Sequence, residues 1–499
     1  MSSMLKDPKA LRFDTRHAGY AYQLEAVEAV KRLPYAALFH EQGLGKTKIG
    51  LDLALEWIRE SSVDSVLVVT KHSLVANWVE EIKRHTYLSA HVLDQNRSSN
   101  FFVLNSAARL YLTHYETVKS EERRLALFLK TRRVAAILDE SHKIKNPESD
   151  VAKVFHRLSS GFVRRVIMTG TPVANRPFDL WSQIYFLDSG SALGKDFQYF
   201  RQHLDLRNDL WNDKSKRDRF ETELGMAFEK IRPFTVRKTK DNAGIELPEK
   251  QIFNLLVEPE ETQRILYDQY RTALCATVLQ GGELVTDDAD EILKRLLRLV
   301  QIASNPLLID EAYSAVPGKF PPLVRLVERA LNEKSKIIVW TNFVENARWL
   351  HKQLEKFGSV MVHGSMSIDD RNRAIADFKT DTEINVLVAT PGAAKEGLTL
   401  TVANYAVFYD RSFSLDDYLQ AQDRIHRISQ KQNCYVWNLI CSGTVDEWID
   451  SLLTAKRLAA QLAQADITAN EYARLANYDF GMVVREILGL KGRTHDGQQ

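Results

Sequence analysis

A glycine-rich loop near the N-terminus is the first segment whose residue types suit a chemical role. It reads HEQGLGKT over residues 40–47, between a short apolar run and a segment with helical periodicity. Gly43 and Gly45 would let backbone N–H groups approach a phosphate chain, and the following helix N-terminus would supply partial positive charge. Lys46 would reach the β- and γ-phosphates, and Thr47 would ligate Mg²⁺. The loop therefore predicts a nucleoside triphosphate site, although histidine replaces the first glycine of the strict pattern; a helix N-terminus with a glycine turn is the alternative.

An acidic pair, Asp139 and Glu140, directly follows an apolar run over residues 134–138. This position places both carboxylates at the C-terminal edge of a predicted strand. Asp139 would hold Mg²⁺ through water, and Glu140 would orient and deprotonate an attacking water. A solvated junction between a strand and a turn is the alternative for this common dipeptide.

Two hydroxyl groups, on Thr169 and Thr171, follow another predicted strand in the segment TGTP. At a strand end they would link a Mg²⁺ site to movement of the other half of the chain. Taken alone, this segment is simply a turn.

Two arginines in the second half, Arg424 and Arg427, lie within QAQDRIHRISQ over residues 420–430. On a helix predicted for residues 415–428, their spacing places both guanidinium groups on one face. From there they would point across a cleft at a γ-phosphate, and such arginine fingers accelerate hydrolysis by about 10³ to 10⁵. Two surface arginines on an amphipathic helix are the alternative.

These segments lie at the ends of short apolar strands that alternate with helical patterns. Strands of the first half are predicted at 36–39, 66–70, 109–115, 134–138 and 165–169, with helices that include 47–60 and 74–85. Strands of the second half are predicted at 336–341, 360–363, 384–390, 405–410 and 434–440, with helices at 343–357, 368–378 and 415–428. This alternation predicts βαβ units and parallel sheets.

The predicted fold class is therefore α/β, with two tandem domains, helical insertions and a C-terminal helical extension. A length of 499 residues fits two to four globular units at about 150 residues each. The predicted domains are residues 1–246 with a helical insertion at about 188–233, a helical insertion and linker at 247–320, a second lobe at 321–445, and a helical extension with a frayed tail at 446–499.

Composition limits the classes of protein that the chain can represent. A net charge of +2 differs from the strong basicity of histone-like proteins, so any nucleic-acid surface must be local. The three cysteines show no C-x-x-C spacing, which indicates neither a zinc site nor a disulfide framework. Neither a signal peptide nor an apolar run of membrane-spanning length is found, so a protein inside the cell without membrane association is expected. The near-neutral charge and the absence of a nuclear-import cluster favour a prokaryotic or viral cytoplasm, with the nucleus as the alternative.

In this order, the motifs resemble those of the Swi/Snf-type ATPases of helicase superfamily two. The resemblance covers nearly the whole chain and includes LDESHKIKN over 138–146, TGTPVANRPFDLW over 169–181 and the His-Arg-Ile-x-Gln run over 426–430. It implies two RecA-like lobes with parallel sheets, ATP as the substrate and Mg²⁺ as the cofactor. The implied nucleotide contacts are Gln23, Gly43, Leu44, Gly45, Lys46, Thr47, Asp139, Gly397 and Gln420.

The resemblance also implies a DNA-binding surface on both lobes. Contacts to the phosphate backbone carry no sequence code, so binding is expected to be nonspecific and to weaken steeply with salt. The implied DNA contacts are Thr70, Thr113, Tyr115, Thr341, His363, Gly364 and Thr390.

Together these features predict a DNA-dependent ATPase that translocates on double-stranded or branched DNA and remodels DNA or protein–DNA complexes. Asp423 stands where ordinary superfamily-two helicases carry glycine, which favours duplex translocation. The segment TPGAAKEGLTL over 390–400 resembles annealing-helicase and fork-remodelling members, which favours DNA repair over nucleosome sliding. A strand-separating or branch-migrating helicase and an ATP-gated DNA-binding scaffold remain alternatives. A monomer is expected, and its recruiting proteins are not predicted.

Overall fold

The computed structural model describes residues 13–94, 96–173, 178–204, 214–280, 283–284, 289–394 and 399–463. Within that part, the chain forms two compact units. The first is mostly residues 13–204 and 218–245, and the second is mostly residues 246–462. Each unit has its own parallel sheet.

The sheet of the first unit has seven strands. They are β1 (Tyr35–Leu38), β2 (Ser65–Thr70), β3 (His91–Val92), β4 (Leu110–His114), β5 (Val134–Asp139), β6 (Arg164–Met168) and β7 (Thr235–Val236). All pairings are parallel, in the order β3-β4-β2-β5-β6-β1-β7. Strands β2 and β5 are buried along their whole length, as expected for strands with helices on both faces.

In the described part of the first unit, ten α-helices surround or extend this sheet. They are α1 (Ala21–Val30), α2 (Lys46–Arg59), α3 (Val75–His85), α4 (Arg97–Asn105), α5 (Tyr115–Ser120), α6 (Glu122–Thr131), α7 (Asp150–Leu158), α8 (Asp179–Asp188), α9 (Phe197–Leu204) and α10 (Lys214–Ile231). A core that includes Trp57, Trp78 and Ile137 joins α2 and α3 to the central strands. The sheet and its core thus fix the strand ends at which the candidate site lies.

The second unit has a six-stranded parallel sheet and a small antiparallel pair. Its strands are β8 (Lys250–Val257), β9 (Leu279–Gln280), β10 (Glu283–Leu284), β11 (Lys336–Trp340), β12 (Ser359–Val362), β13 (Val386–Ala389), β14 (Ala403–Phe408) and β15 (Cys434–Cys441). The large sheet has the order β12-β13-β11-β14-β15-β8, and β9 pairs with β10. Alternate residues of β11 enter two separate cores, Ile338 and Trp340 in one and Ile337 and Val339 in the other.

The helices of the second unit are α11 (Glu261–Val278), α12 (Ala289–Ser304), α13 (Phe320–Asn332), α14 (Val344–Leu354), α15 (Ile368–Thr380), α16 (Pro391–Ala394), α17 (Leu415–Gln422) and α18 (Val445–Ala463). They cover both faces of the sheet and include the predicted C-terminal helix, α18. Across the described ranges, no helix is both long enough and apolar enough to cross a membrane.

The predicted fold class is confirmed: both units are α/β, both large sheets are parallel, and helical segments lie between and after them. The predicted strands match observed strands to within two residues at each end. The exact domain boundaries stay a prediction, and residues 464–499 of the predicted tail lie outside the described residues.

Two local predictions differ from the structure. The helix predicted for residues 415–428 ends at Gln422, so it is too long by six residues. The range 247–320, predicted as a helical insertion and linker, begins with β8, which pairs along its full length with β15.

Candidate nucleotide-binding site

The glycine loop connects β1 to α2, as predicted, and its backbone requires glycine at two positions. Gly43 and Gly45 have φ angles of 86° and 67°, in the left-handed region that residues with a Cβ rarely adopt. A Cβ at Gly45 would also lie 2.5 Å from Nε2 of Gln23. Lys46 is the first residue of α2 and Thr47 follows in its first turn, so the loop leads directly into a helix N-terminus.

Two side chains of α1 hold this loop from the outside. The Tyr22 hydroxyl donates to the Leu44 carbonyl over 3.0 Å, and Gln23 Nε2 donates to the same oxygen over 3.2 Å. Gln23 Oε1 accepts the backbone N–H of Tyr20 at 2.9 Å, which closes the cap of α1. Gln23 is therefore a structural support of the loop, and its contact with adenine stays a prediction.

Lys46 is buried inside the loop that it belongs to. Its ammonium group donates to the backbone carbonyls of His40 at 2.9 Å and Glu41 at 3.3 Å. Only 8% of the residue is exposed. These carbonyls hold the charge in place at the point where a phosphate chain is predicted to bind.

The His40 ring lies fully buried behind the loop. Burial, followed by the nearby charge of Lys46, lowers the pKa of His40 to about 4. The ring is therefore neutral at physiological pH, and it adds no second positive charge beside Lys46.

The acidic pair lies at the end of β5. Asp139 Oδ2 accepts hydrogen bonds from the indole N–H of Trp78 at 2.8 Å and the hydroxyl of Thr70 at 3.2 Å. Burial and the neighbouring charge of Glu140 raise the pKa of Asp139 to about 6. The carboxyl is thus fixed in orientation by residues of two other elements.

Glu140 has a left-handed backbone, with φ at 53°, where the chain turns sharply out of β5. Its carboxylate lies 3.2 Å from Nδ1 of His142. Burial raises its pKa, but the close contact with His142 and the charges of Lys71 and Lys46 outweigh that effect and hold the pKa of Glu140 below its usual range. The structure therefore brings Lys46, Asp139 and Glu140 into one electrostatic neighbourhood, and Glu140 is its ionised carboxylate.

The predicted hydroxyl segment follows β6, where Thr169 is buried and its Oγ1 accepts the backbone N–H of Thr171 at 3.2 Å. A glutamine of α8 joins this segment to the acidic pair. Gln183 Oε1 accepts the hydroxyl of Ser141 at 2.7 Å, and its Nε2 donates to the Pro172 carbonyl at 3.2 Å. This contact joins the ends of β5 and β6, and the predicted link from the Mg²⁺ site to movement of the other half of the chain stays a prediction.

The three predicted DNA contacts of the first unit are buried residues with protein partners. Thr70 donates to Asp139, Thr113 donates to the Leu93 carbonyl at 3.1 Å, and Tyr115 donates to the Asp139 carbonyl at 2.8 Å. All three have an exposed fraction of 0%. Their hydroxyl groups thus position the strand ends, and their contact with DNA stays a prediction.

Thr341 of the second unit is bound to a buried acid. Asp410 accepts its hydroxyl at 2.6 Å, the hydroxyl of Ser304 at 2.7 Å and the backbone N–H of Asn342 at 2.6 Å. The carboxylate of Asp410 therefore ties the end of β11 to α12. The predicted role of Thr341 in DNA contact is untested by this arrangement.

The remaining predicted DNA contacts of the second unit differ in exposure. Gly364 is exposed and a Cβ there would meet open space, whereas His363 and Thr390 are buried at 3% and 7% exposure. Burial lowers the pKa of His363, so its ring is neutral. Among these three residues, Gly364 is thus the one with open space beside it. Gly397, which was predicted to contact the nucleotide, lies outside the described residues.

The prediction that Arg424 and Arg427 share a helical face is wrong, because α17 ends at Gln422. After Gln422 the chain continues in turns. There the Gln430 amide donates to the carbonyls of Ile425 at 2.9 Å and Ala403 at 3.0 Å, which ties the arginine segment to the start of β14.

Both arginines are nonetheless held in place within the second unit. Arg424 is 4% exposed, and its backbone carbonyl accepts the N–H of Leu400. Arg427 donates to the Asp423 carbonyl at 3.0 Å and to the Thr399 hydroxyl at 3.1 Å. Gln420 donates to Asp416 at 2.8 Å. The roles predicted for all three toward the nucleotide stay predictions.

Sequence analysis did not assign Trp78 and Gln183 to the site. Trp78 lies in the helix predicted for residues 74–85, for which no contact with the acidic pair was expected. Gln183 lies in α8, whose sequence DLWSQIYFLD is otherwise largely apolar. A glutamine in such a helix is a signal for a buried hydrogen-bonding role, since a buried amide needs partners.

Two parallel α/β units, of which the first carries a phosphate-binding loop and a strand-end acidic pair, define a nucleotide-binding protein of the α/β class. The chain belongs to the SNF2-related family: residues 22–308, more than half of its length, match the SNF2-related domain. Residues 318–429 match the helicase conserved C-terminal domain. The resemblance to the Swi/Snf-type proteins is thereby confirmed.

Individual relatives are more distant. The chain is 26% identical to an uncharacterised ATP-dependent helicase of Mycoplasma genitalium, over 87% of this chain and 41% of that protein. It is 26% identical to the ISWI chromatin-remodelling complex ATPase ISW1 of Saccharomyces cerevisiae, over 85% of this chain and 38% of that protein. A similar solved structure is the Sulfolobus solfataricus SWI2/SNF2 ATPase core in complex with dsDNA, with 25% identity, a TM-score of 0.42, and coverage of 95% of this chain and 97% of that one. The chain spans about two fifths of the length of these curated relatives.

Proposed function

We propose that this chain is a DNA-dependent ATPase that translocates on double-stranded or branched DNA and remodels DNA or protein–DNA complexes. The observation that carries the proposal is the phosphate-binding loop together with Asp139 and Glu140, since the charge of Lys46 acts on both carboxyls. Membership of the SNF2-related family supports it. The names of the two curated relatives, a helicase and a remodelling ATPase, support ATP as the substrate.

The donor set of the first unit fits Mg²⁺. Asp139 is a buried carboxyl at a strand end, and Thr47 lies in the first turn of α2. Burial and, after it, the neighbouring charge of Glu140 raise the pKa of Asp139, and a divalent cation would favour its ionised form. When bound, Mg²⁺ would neutralise charge on the β- and γ-phosphates.

Residues of the first unit have separate roles in the proposed reaction. Lys46 would exchange the carbonyls of its own loop for phosphate oxygens, because a phosphate carries more negative charge. Glu140, ionised and oriented by His142, would accept a proton from the attacking water. Contact of Arg424 and Arg427 with the γ-phosphate belongs to the same proposal and rests on the sequence.

The proposed DNA interaction uses phosphate contacts, so it is nonspecific and salt-dependent. We infer a fork-remodelling role in DNA repair from the resemblance of residues 390–400, of which 395–398 lie outside the described residues. A monomer in the cytoplasm is part of this proposal.

A pair of displacement assays tests the translocase against its nearest alternative. One substrate is a linear duplex that carries a third strand, and the other is a forked duplex that carries a labelled strand. The proposal expects ATP-dependent release of the third strand without separation of the duplex. Strand separation on the fork would favour a helicase, and ATP hydrolysis without either release would favour an ATP-gated clamp.

A further inference from the structure

Gln42 is a buried side chain of the glycine loop to which neither the motif nor the proposed function gives a role. It is 8% exposed. Among the residues that the structure describes, its side-chain Nε2 has no hydrogen-bond partner. A buried donor without a partner costs about 1 to 3 kcal/mol. Such a donor is therefore expected to have a partner in some state of the protein.

The surroundings of Gln42 indicate where that partner lies. A Cβ built on Gly170 would be 2.8 Å from Cγ of Gln42 and 3.0 Å from its Nε2. The side chain of Gln42 thus packs against the segment that follows β6. By contrast, Gly45 at the other end of the loop lies against Gln23. The two ends of the loop therefore face different parts of the unit.

The strand order shows which end of the loop faces the acidic pair. Strand β6 lies between β1, which leads into the loop, and β5, which ends at the acidic pair. Gln42 therefore extends toward the strand that separates the loop from Asp139 and Glu140. A terminal phosphate that is attacked by water beside Glu140 must lie at this end of the loop, whereas Gln23, the predicted adenine contact, lies at the other end.

We propose that the side-chain amide of Gln42 donates a hydrogen bond to the terminal phosphate of bound ATP. Through its contact with Gly170, Gln42 would couple the presence of that phosphate to the position of the segment Thr169–Thr171. The inference rests on the proposed function and deepens it. Gln42 would thus distinguish a triphosphate from a diphosphate, since only the triphosphate supplies the oxygen that its Nε2 lacks. Gly170 must remain glycine because any side chain there would displace Gln42.

The test compares Gln42→Leu with a matched control, Gln263→Leu, in the full chain. Leucine keeps much of the volume of glutamine and removes the amide. Gln263 of α11 is 1% exposed and its Nε2 donates to the carbonyls of Ile302 at 2.8 Å and Ala303 at 3.3 Å. Its Oε1 also accepts the backbone N–H groups of Glu260 and Gly318, so the control loses four hydrogen bonds in the second unit, whereas Gln42→Leu loses a donor without a partner.

The first measurement is the melting temperature without nucleotide, with ADP, and with ADP plus beryllium fluoride, which mimics a triphosphate. The second measurement is steady-state kcat and KM for ATP. We expect Gln42→Leu to keep the melting temperature of the wild type without nucleotide and to lose the extra stabilisation that beryllium fluoride adds to ADP. Its kcat should fall about 10²-fold, as for the loss of one donor to a reacting group. Gln263→Leu should lower the melting temperature and keep the beryllium fluoride effect.

The inference is overturned if Gln42→Leu retains both the beryllium fluoride effect and the wild-type kcat, or if it destabilises the nucleotide-free protein as much as Gln263→Leu does. If the wild type binds ADP with beryllium fluoride and does not hydrolyse ATP, the proposed function fails while the binding comparison still decides the role of Gln42.

Discussion

The acidic pair of the first unit depends on side chains that lie far from it in sequence. Trp78 of α3 and Thr70 of β2 hold one carboxylate oxygen of Asp139, and His142 holds Glu140. Partners of this kind orient a metal-binding group and tune its affinity for the ion. The sequence motif therefore predicts which residues take part in the reaction, and side chains of neighbouring elements fix the orientation of those residues.

The indole of Trp78 provides a direct test of this support. Trp78→Phe keeps the aromatic volume and removes the donor to Asp139, so the Mg²⁺ concentration for half-maximal ATP hydrolysis is expected to rise by about tenfold or more. Trp57→Phe is the control, because that buried indole donates to the Lys31 carbonyl away from the acidic pair. An identical Mg²⁺ dependence for both variants would exclude the orienting role of Trp78.

His40 predicts a pH dependence of stability. Its folded pKa of about 4 lies below its ordinary value of 6.5, so below about pH 6.5 the unfolded chain binds a proton that the folded chain does not. The free energy of unfolding should therefore fall by about 3 kcal/mol as the pH drops from about 6.5 to about 4. The positive groups that face the ring, Lys46, Lys238 and Arg237, act in the same direction.

The check is urea unfolding of the wild type and His40→Gln across this pH range. Other histidines titrate in both proteins, so the difference between the two curves isolates His40. The variant is expected to lose less stability on acidification. Parallel curves would contradict the burial argument.

Much of the site follows from the sequence because its parts are local. The glycines, Lys46 and the acidic dipeptide lie within short segments, and each follows a strand that is apolar enough to recognise. The contacts of Trp78 and Gln183 could not be predicted in the same way, because they depend on which strands are neighbours and not on spacing along the chain.

At the scale of elements, the arginine segment shows how a tertiary contact overrides a helical pattern. The periodicity of residues 415–428 favours one long helix. However, the chain departs from the helix after Gln422, and the amide of Gln430 binds the carbonyls of Thr401 and Ala403 at the start of β14 and the carbonyl of Ile425. Local propensity carries less free energy than several buried hydrogen bonds.

Removal of the Gln430 amide should therefore disrupt the arginine segment. Gln430→Leu removes the amide that donates to the carbonyls of Thr401, Ala403 and Ile425, and we expect a loss of about 3 kcal/mol in the free energy of unfolding. Gln432→Leu, at an exposed position of the same turn, is expected to change stability by less than about 0.5 kcal/mol. The comparison uses chemical denaturation. Equal stabilities of the two variants would show that the Gln430 bonds do not hold the segment.

Strand β8 was not predicted from the sequence, for a different reason. It forms the edge of its sheet, and Ile252 and Leu256 are exposed at 39% and 63%. Its pattern therefore lacks the continuous burial of central strands. It is also separated in sequence from its partner, β15, by most of the second unit, and pairing over that distance leaves no local signal.

At the scale of the whole molecule, the chain contains two α/β units and belongs to the SNF2-related family, and the first unit carries the glycine loop with Lys46 and the acidic pair Asp139 and Glu140. The chain spans about two fifths of the length of the two curated relatives, and its ATP hydrolysis and DNA substrate are proposals.

Steady-state ATP hydrolysis of the wild type and Glu140→Gln tests the central claim most directly. Each protein is assayed without nucleic acid, with single-stranded DNA, with linear duplex and with forked duplex. We expect strong stimulation of the wild type by duplex or forked DNA and loss of hydrolysis in Glu140→Gln, with nucleotide binding retained. Stimulation by single strands alone, or hydrolysis that survives in Glu140→Gln, would contradict the account.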